Sequence, residues 1–143
     1  SLFEGMGERP RVRFFEGPEG AKAMRDEFLK VKSKMIYGIV DYDKLFQYWP
    51  GQQNDYTSVR AQKKIKTRTF YVSKAPVKDA NSKEFMREAK FINSKDLDLG
   101  ASITIYDDKI SISTYSANPI SVIIESDGIT KTVKSIFELL WSK

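Results

Sequence analysis

The stretch Ser102–Trp141 leaves this chain few folds to choose from. Ile103 and Ile105 alternate with polar neighbours, and Ile110 and Ile112 repeat the pattern. A period of two marks strands with one buried face. Asp107-Asp108 between the two runs reads as a tight turn, because short carboxylates hydrogen-bond their own backbone and favour turns over ladders. After Ser116-Ala117-Asn118-Pro119, the run Ile120–Ile124 is apolar at nearly every position, which predicts a strand covered on both faces. Ser126 or Asp127 then caps a helix on which Ile129, Val133, Ile136, Phe137, Leu140 and Trp141 recur at helical spacing. Strands and helix both carry apolar faces, so the rest of the chain must supply partners for them.

Ser1–Pro10 is rich in glycine and charge and reads as a tether or tag remnant ahead of a single domain, 11–143. Arg11–Phe15 is a short β-rich run. Pro18 opens a helix over Glu19–Lys32, with Ala21, Met24, Phe28 and Val31 on one stripe. Met35–Val40 has the compactness of a buried strand, and Asp41 or Asp43 caps a short aromatic helix, Tyr42–Tyr48, stopped by Pro50-Gly51. A helix over Tyr56–Ile65, a strand over Thr67–Val72, a loop over Lys74–Ala80 and a helix over Ser82–Phe91 with Phe85, Met86 and Ala89 inward complete the pass. The predicted order is β-α-β-α-α-β-α-β-β-β-α. Early alternation and a late meander predict an α/β (α+β) fold with a mixed β-sheet flanked by helices.

The residue inventory removes several chemistries. There is no cysteine, hence no disulfide framework and no thiolate metal site. There is also no histidine, which removes the commonest metal ligand and the usual neutral-pH acid or base. We expect neither a metal nor another cofactor. No apolar run reaches the roughly 20 residues of a membrane span, so the expectation is a cytoplasmic protein with no membrane partner. The net charge of +5 permits weak attraction to polyanions without naming one.

Arg11-Val-Arg-Phe-Phe-Glu-Gly17 running into a helix, the strand and turn Ile103–Asp108, and Val122-Ile-Ile-Glu-Ser126 followed by Ile136-Phe-Glu-Leu-Leu-Trp141 carry a resemblance. From Arg11 onward the chain resembles one half of a phospholipase D-like fold, and more closely the regulatory domain of TrmB-like transcriptional regulators. The resemblance implies a homodimerising regulatory domain, with DNA bound through an N-terminal winged helix lying outside this chain. Phospholipase D-like chemistry uses a histidine, a lysine two residues on and an aspartate five further along. With Asp107 at the aspartate, Gly100 takes the place of the histidine and Ser102 that of the lysine, and Thr114-Tyr115-Ser116-Ala117 departs from the downstream Gly-Ser pattern. A phosphoryl-enzyme route needs a nucleophile and cations around the transferring oxygens. The expectation is therefore a protein that is not an enzyme.

Four groups of residues remain as candidates. Asp107 and Asp108 have the acidity to hold a cation, but a plain turn explains them, and Lys109 beside them repels a metal. Arg60, Lys63, Lys64, Lys66 and Arg68 form the densest basic run, a nucleic-acid-binding alternative against the default of solvated lysines. Tyr42, Phe46, Tyr48 and Trp49 lid the core, join a dimer interface, to which Phe137 and Trp141 also contribute, or stack a sugar ring as a ligand wall. Open sheets bind ligands beyond the carboxyl ends of parallel strands, which makes Glu16, Asp41, Tyr42, Lys74, Tyr115 and Ser116 a polar crevice for a small-molecule effector.

Overall fold

The computed structural model describes residues 11–50 and 52–143; the proposed tether, 1–10, lies outside them, as does Gly51. The elements follow in the order β1 (Arg11–Glu16), α1 (Gly17–Phe28), β2 (Met35–Asp41), α2 (Tyr42–Tyr48), α3 (Gln52–Gln62), β3 (Lys66–Ser73), β4 (Arg87–Asn93), β5 (Ala101–Tyr106), β6 (Lys109–Thr114), β7 (Ile120–Glu125) and α4 (Asp127–Trp141). Among the described residues, all seven strands join one sheet, ordered β1-β7-β6-β5-β2-β3-β4. β2, β3 and β4 run parallel, and every other pairing is antiparallel, so the sheet is mixed as expected.

One element differs from the sequence reading. The segment predicted as a helix, Ser82–Phe91, is a tight turn followed by strand β4. Ser82 pairs its backbone with Arg87 in both directions, and Met86 takes a left-handed φ of 54°. The spacing of Phe85, Met86 and Ala89 is consistent with a helix, but β3 offers an open parallel edge. Pairing there satisfies the backbone groups of β4 along Thr67–Ser73.

The register sorts side chains cleanly onto two faces. Cross-strand partners share a face, so Tyr37, Ile39, Phe70, Ile103, Ile105, Ile110 and Ile112 lie together on one side. α4 covers them, with Phe137 inserted among Tyr37, Phe70 and Trp141 at ring-centroid distances of 5.0–5.7 Å. The opposite side carries Gly38, Thr67, Thr69, Thr104, Ser111, Ser113 and Ser121, and α1, α2 and α3 cover it. The α1 stripe is buried as predicted, with Ala21, Met24, Phe28 and Val31 all inside.

Two burial expectations are corrected. β7 is covered on one face only: Ile123 is buried, whereas Ile120 is 61% exposed on the α4 side. The α4 stripe also divides. Phe137 enters the core, but Ile129, Ile136 and Leu140 stay exposed, because the helix lies over β5 and β6 and leaves β7 and β1 bare. Ser126 is its N-cap, accepting a hydrogen bond from the amide of Ile129 at 3.2 Å. Among the described residues, no helix is long and apolar enough to cross a membrane.

Candidate functional site

The carboxyl ends of β2 and β3 meet the end of β6, as the crevice hypothesis requires. The Asp41 amide donates to the Tyr115 hydroxyl at 2.8 Å, while the Asp41 carboxylate accepts from the Lys44 amide and so caps α2. Lys44 lies over the Tyr115 ring and also pairs with Asp98. The Lys74 amide donates to the Asp43 carboxylate at 2.9 Å, which ties the end of β3 to α2. Burial pushes the phenols of Tyr42 and Tyr115 up from their ordinary pKa, so both are neutral hydrogen-bonding groups at neutral pH.

The crevice is smaller than the predicted set of six. Asp41, Tyr42 and Tyr115 are brought together, and Lys74 joins through its backbone. Glu16 sits exposed at the end of edge strand β1, opposite Ile120 and separated from β6 by β7. The Ser116 hydroxyl accepts from the Asn118 amide and serves its own turn. The Asp41 side chain is committed to capping, because the strand passes directly into the helix there.

Inside this end of the sheet lies a cavity of about 140 Å³, which no pattern in the sequence signals. Its floor is the hydroxyl-bearing face of the sheet: Gly38, Thr67, Thr69, Ser102, Thr104 and Ser113. The three helices of that layer form its walls, with Met24 and Phe28 of α1, Leu45 of α2 and Tyr56 of α3, and Trp49 after α2. The short floor residues do not fill the gap beneath these large side chains, and that mismatch opens the cavity. Ser102 is one of the floor residues. Gly100 lies outside it, and a side chain built there would meet open space.

Three arginines also line the cavity: Arg25, Arg60 and Arg87. Arg25 stacks over the Trp49 ring at 5.9 Å. Arg60 is 2% exposed and donates to the Ile65 carbonyl at 2.7 Å. Arg87 donates to the carbonyls of Ala80 and Asp79. Burial lowers the pKa of Arg25 and Arg60 from the ordinary guanidinium value, and Arg87 adds repulsion at Arg60. Burial also pushes Tyr56 up to about 12.

These positions revise the other candidates. Arg60 leaves the basic surface group because it is a core residue; Lys63, Lys64 and Lys66 are exposed at the corner between α3 and β3. Arg68 lies on the far face of the sheet, over the Trp141 ring and paired with Glu88. Phe137 and Trp49 are buried within this one chain and have no surface to give an interface, whereas Phe46 is half exposed. Trp141 is half-buried between Arg68 and Lys90. Asp107 accepts from the amides of Lys32 and Ser33 at 2.9 and 3.0 Å with a left-handed φ of 51°. Burial opposes its ionisation, but those amides outweigh it and hold its carboxyl below the usual pKa. It is a turn and a clasp.

No family model matches the chain, and no curated protein matches it by sequence. Solved structures do match. TrmBL2, described as an archaeal chromatin protein with a novel mode of DNA binding, superposes with a TM-score of 0.62 at 17% identity, over 99% of this chain and 56% of that one. Polyphosphate kinase from Porphyromonas gingivalis gives a TM-score of 0.62 at 13% identity, over 100% of this chain and 27% of that one. NucT from Helicobacter pylori gives 0.56 at 10% identity, over 94% and 97%. This chain spans about half the length of the TrmBL2 chain it matches. At these identities the likeness is one of fold. The chain shares its arrangement of sheet and helices with these three structures.

Proposed function

We propose that this chain is a non-catalytic regulatory and dimerisation domain of a TrmB-like, DNA-associated regulator whose DNA-binding winged helix lies outside it. One observation carries the reading: a phospholipase D-like scaffold holds Gly100 and Ser102 where phosphoryl chemistry needs an imidazole and an ammonium group. Asp107, the remaining member of the motif, is bound to two backbone amides and serves the fold. The likeness to TrmBL2 supports a DNA-linked role, and the partial coverage of that chain leaves room for a separate DNA-binding part.

The dimerisation surface belongs on the α4 side of the sheet. Val12 and Phe14 of β1, Ile120 of β7 and Ile136 and Leu140 of α4 are all exposed there, and Phe14 is 75% accessible. Exposed large apolar side chains gathered on one side of a sheet are characteristic of an interaction site. Light scattering behind size exclusion is expected to give a dimer, and Phe14→Glu with Ile136→Glu a monomer. A strict monomer at high concentration would count against the assignment. The enzymatic reading is tested with a chromogenic phosphodiester: turnover lost in Asp107→Asn would overturn the proposal. Steeply salt-dependent DNA binding by the chain alone, lost on neutralising Lys63 and Lys64, would favour the nucleic-acid-binding alternative.

A further inference from the structure

The cavity between the helix layer and the hydroxyl-bearing face of the sheet has a charge that its lining does not balance. Arg60 and Arg87 line it, and among its described lining residues none is an aspartate or glutamate. The partners of Arg60 and Arg87 are the carbonyls of Ile65, Ala80 and Asp79. Carbonyl dipoles satisfy the N–H groups but leave the net positive charge in place. Buried charges are normally matched by a counter-charge, because an unmatched buried cation is costly to desolvate. Two cations that repel each other across one partly enclosed space raise that cost. An anion placed between them would lower it.

The other lining groups narrow the chemistry. Met24, Phe28, Leu45 and Trp49 offer an apolar slot, while Thr69, Thr104 and Ser102 offer hydroxyls on the floor. A fully hydrated inorganic ion gains nothing from the apolar walls. The volume of about 140 Å³ is close to the roughly 150 Å³ apolar cavity that accepts benzene. We infer that this cavity is a binding site for a small organic carboxylate with an apolar or aromatic body, its carboxylate held by Arg60 and Arg87 and its body against Trp49 and Met24. The inference goes beyond the regulatory proposal and stands without it, because binding is read on the chain alone, with no DNA, dimer or turnover in the measurement.

The test uses benzoate, benzyl alcohol and inorganic phosphate as probes, titrated calorimetrically into the 143-residue chain at neutral pH and matched ionic strength. Benzoate is expected to bind at least roughly tenfold more tightly than its neutral analogue, and more tightly than phosphate, since charge-assisted bonds to a desolvated guanidinium are the strong ones. Arg60→Gln keeps a donor for the Ile65 carbonyl and removes the charge, and should abolish the preference for benzoate over benzyl alcohol. Gly38→Val narrows the floor from the sheet side without touching an arginine, and should weaken both organic probes. If Arg60→Gln does not fold, the comparison of probes on the native chain together with Gly38→Val still decides. Equal affinity for benzoate and benzyl alcohol, a preference for phosphate, benzoate binding unaltered by Gly38→Val, or no benzoate binding up to roughly 10 mM would each overturn the inference.

Discussion

The two faces of the sheet are built from alternating residues of the same strands, yet they do different work. Towards α4 the strands present Ile39, Phe70, Ile103, Ile105 and Ile110, and Phe137 closes edge-on against Phe70 while stacking on Trp141 of its own helix. Towards α1, α2 and α3 they present Gly38, Thr69, Thr104, Ser111 and Ser113, and hydroxyls pair among themselves, Ser113 with Ser121 at 2.8 Å. Large aliphatic side chains fill volume and fix a helix. Short polar ones leave volume behind, and hydrogen bonding among them keeps their burial tolerable. One face holds the fold together, while the other leaves room for a ligand.

Substitutions at matched positions would break this contrast or sharpen it. The largest effect is expected from Phe137→Ala, which removes a 1%-exposed ring from the α4 side and should lower stability by about 3–5 kcal/mol in urea denaturation. Ile105→Ala on the same face should lose about 2–5 kcal/mol. An effect below 1 kcal/mol at both would mean that this face is not the stabilising one. At the clasp, Asp107→Asn keeps a residue type that tolerates a left-handed φ but removes the charge facing the Lys32 and Ser33 amides. It should lose about 1–3 kcal/mol near neutral pH.

The acid limb of stability follows from the same group. The folded carboxyl of Asp107 sits below its unfolded value, so its contribution is present above an unfolded pKa of about 3.9 and fades as pH falls through the folded one. Glu27, held low by its paired hydrogen bonds from Arg13, adds to this limb with the same sign. Asp107→Asn should therefore flatten the loss of stability between neutral pH and the acid region; a profile identical to the native one would remove Asp107 from the account.

The smallest effect is expected at Gly38. A methyl group there would rest 3.4 Å from the Thr69 hydroxyl, an ordinary contact in space now open. Gly38→Ala should change stability by no more than about 1 kcal/mol, in the stabilising direction. Ile39→Ala, the next residue along and on the opposite face, should destabilise by about 2 kcal/mol or more. A large loss at Gly38 would show that the floor of the cavity is tightly packed after all.

Much of the framework could be read before any coordinates. The alternation through Ile103–Ile112, the Asp107 turn, the α1 stripe and the capped last helix all depend on neighbours within a few residues, and local patterns report local interactions. β4 escaped because its strand state is imposed by the edge of β3, a partner roughly twenty residues earlier. The crevice was half legible. The structure brings Asp41, Tyr42 and Tyr115 together at the strand ends, but sequence does not tell that the Asp41 carboxylate would be spent on a cap.

Arg60 marks the boundary between the two kinds of knowledge. In the sequence it is one of a run of cations, indistinguishable from Lys63 and Lys64; in the fold it is a buried guanidinium facing a cavity. The sequence by itself determined that β5 and β6 are strands with one apolar face, and that no histidine or cysteine chemistry is available to the chain. The tertiary structure alone decided which cations are buried, which aromatic rings are core, and where two layers fail to fill the space between them. Burial and empty volume arise between residues far apart in the chain, and no local pattern carries them.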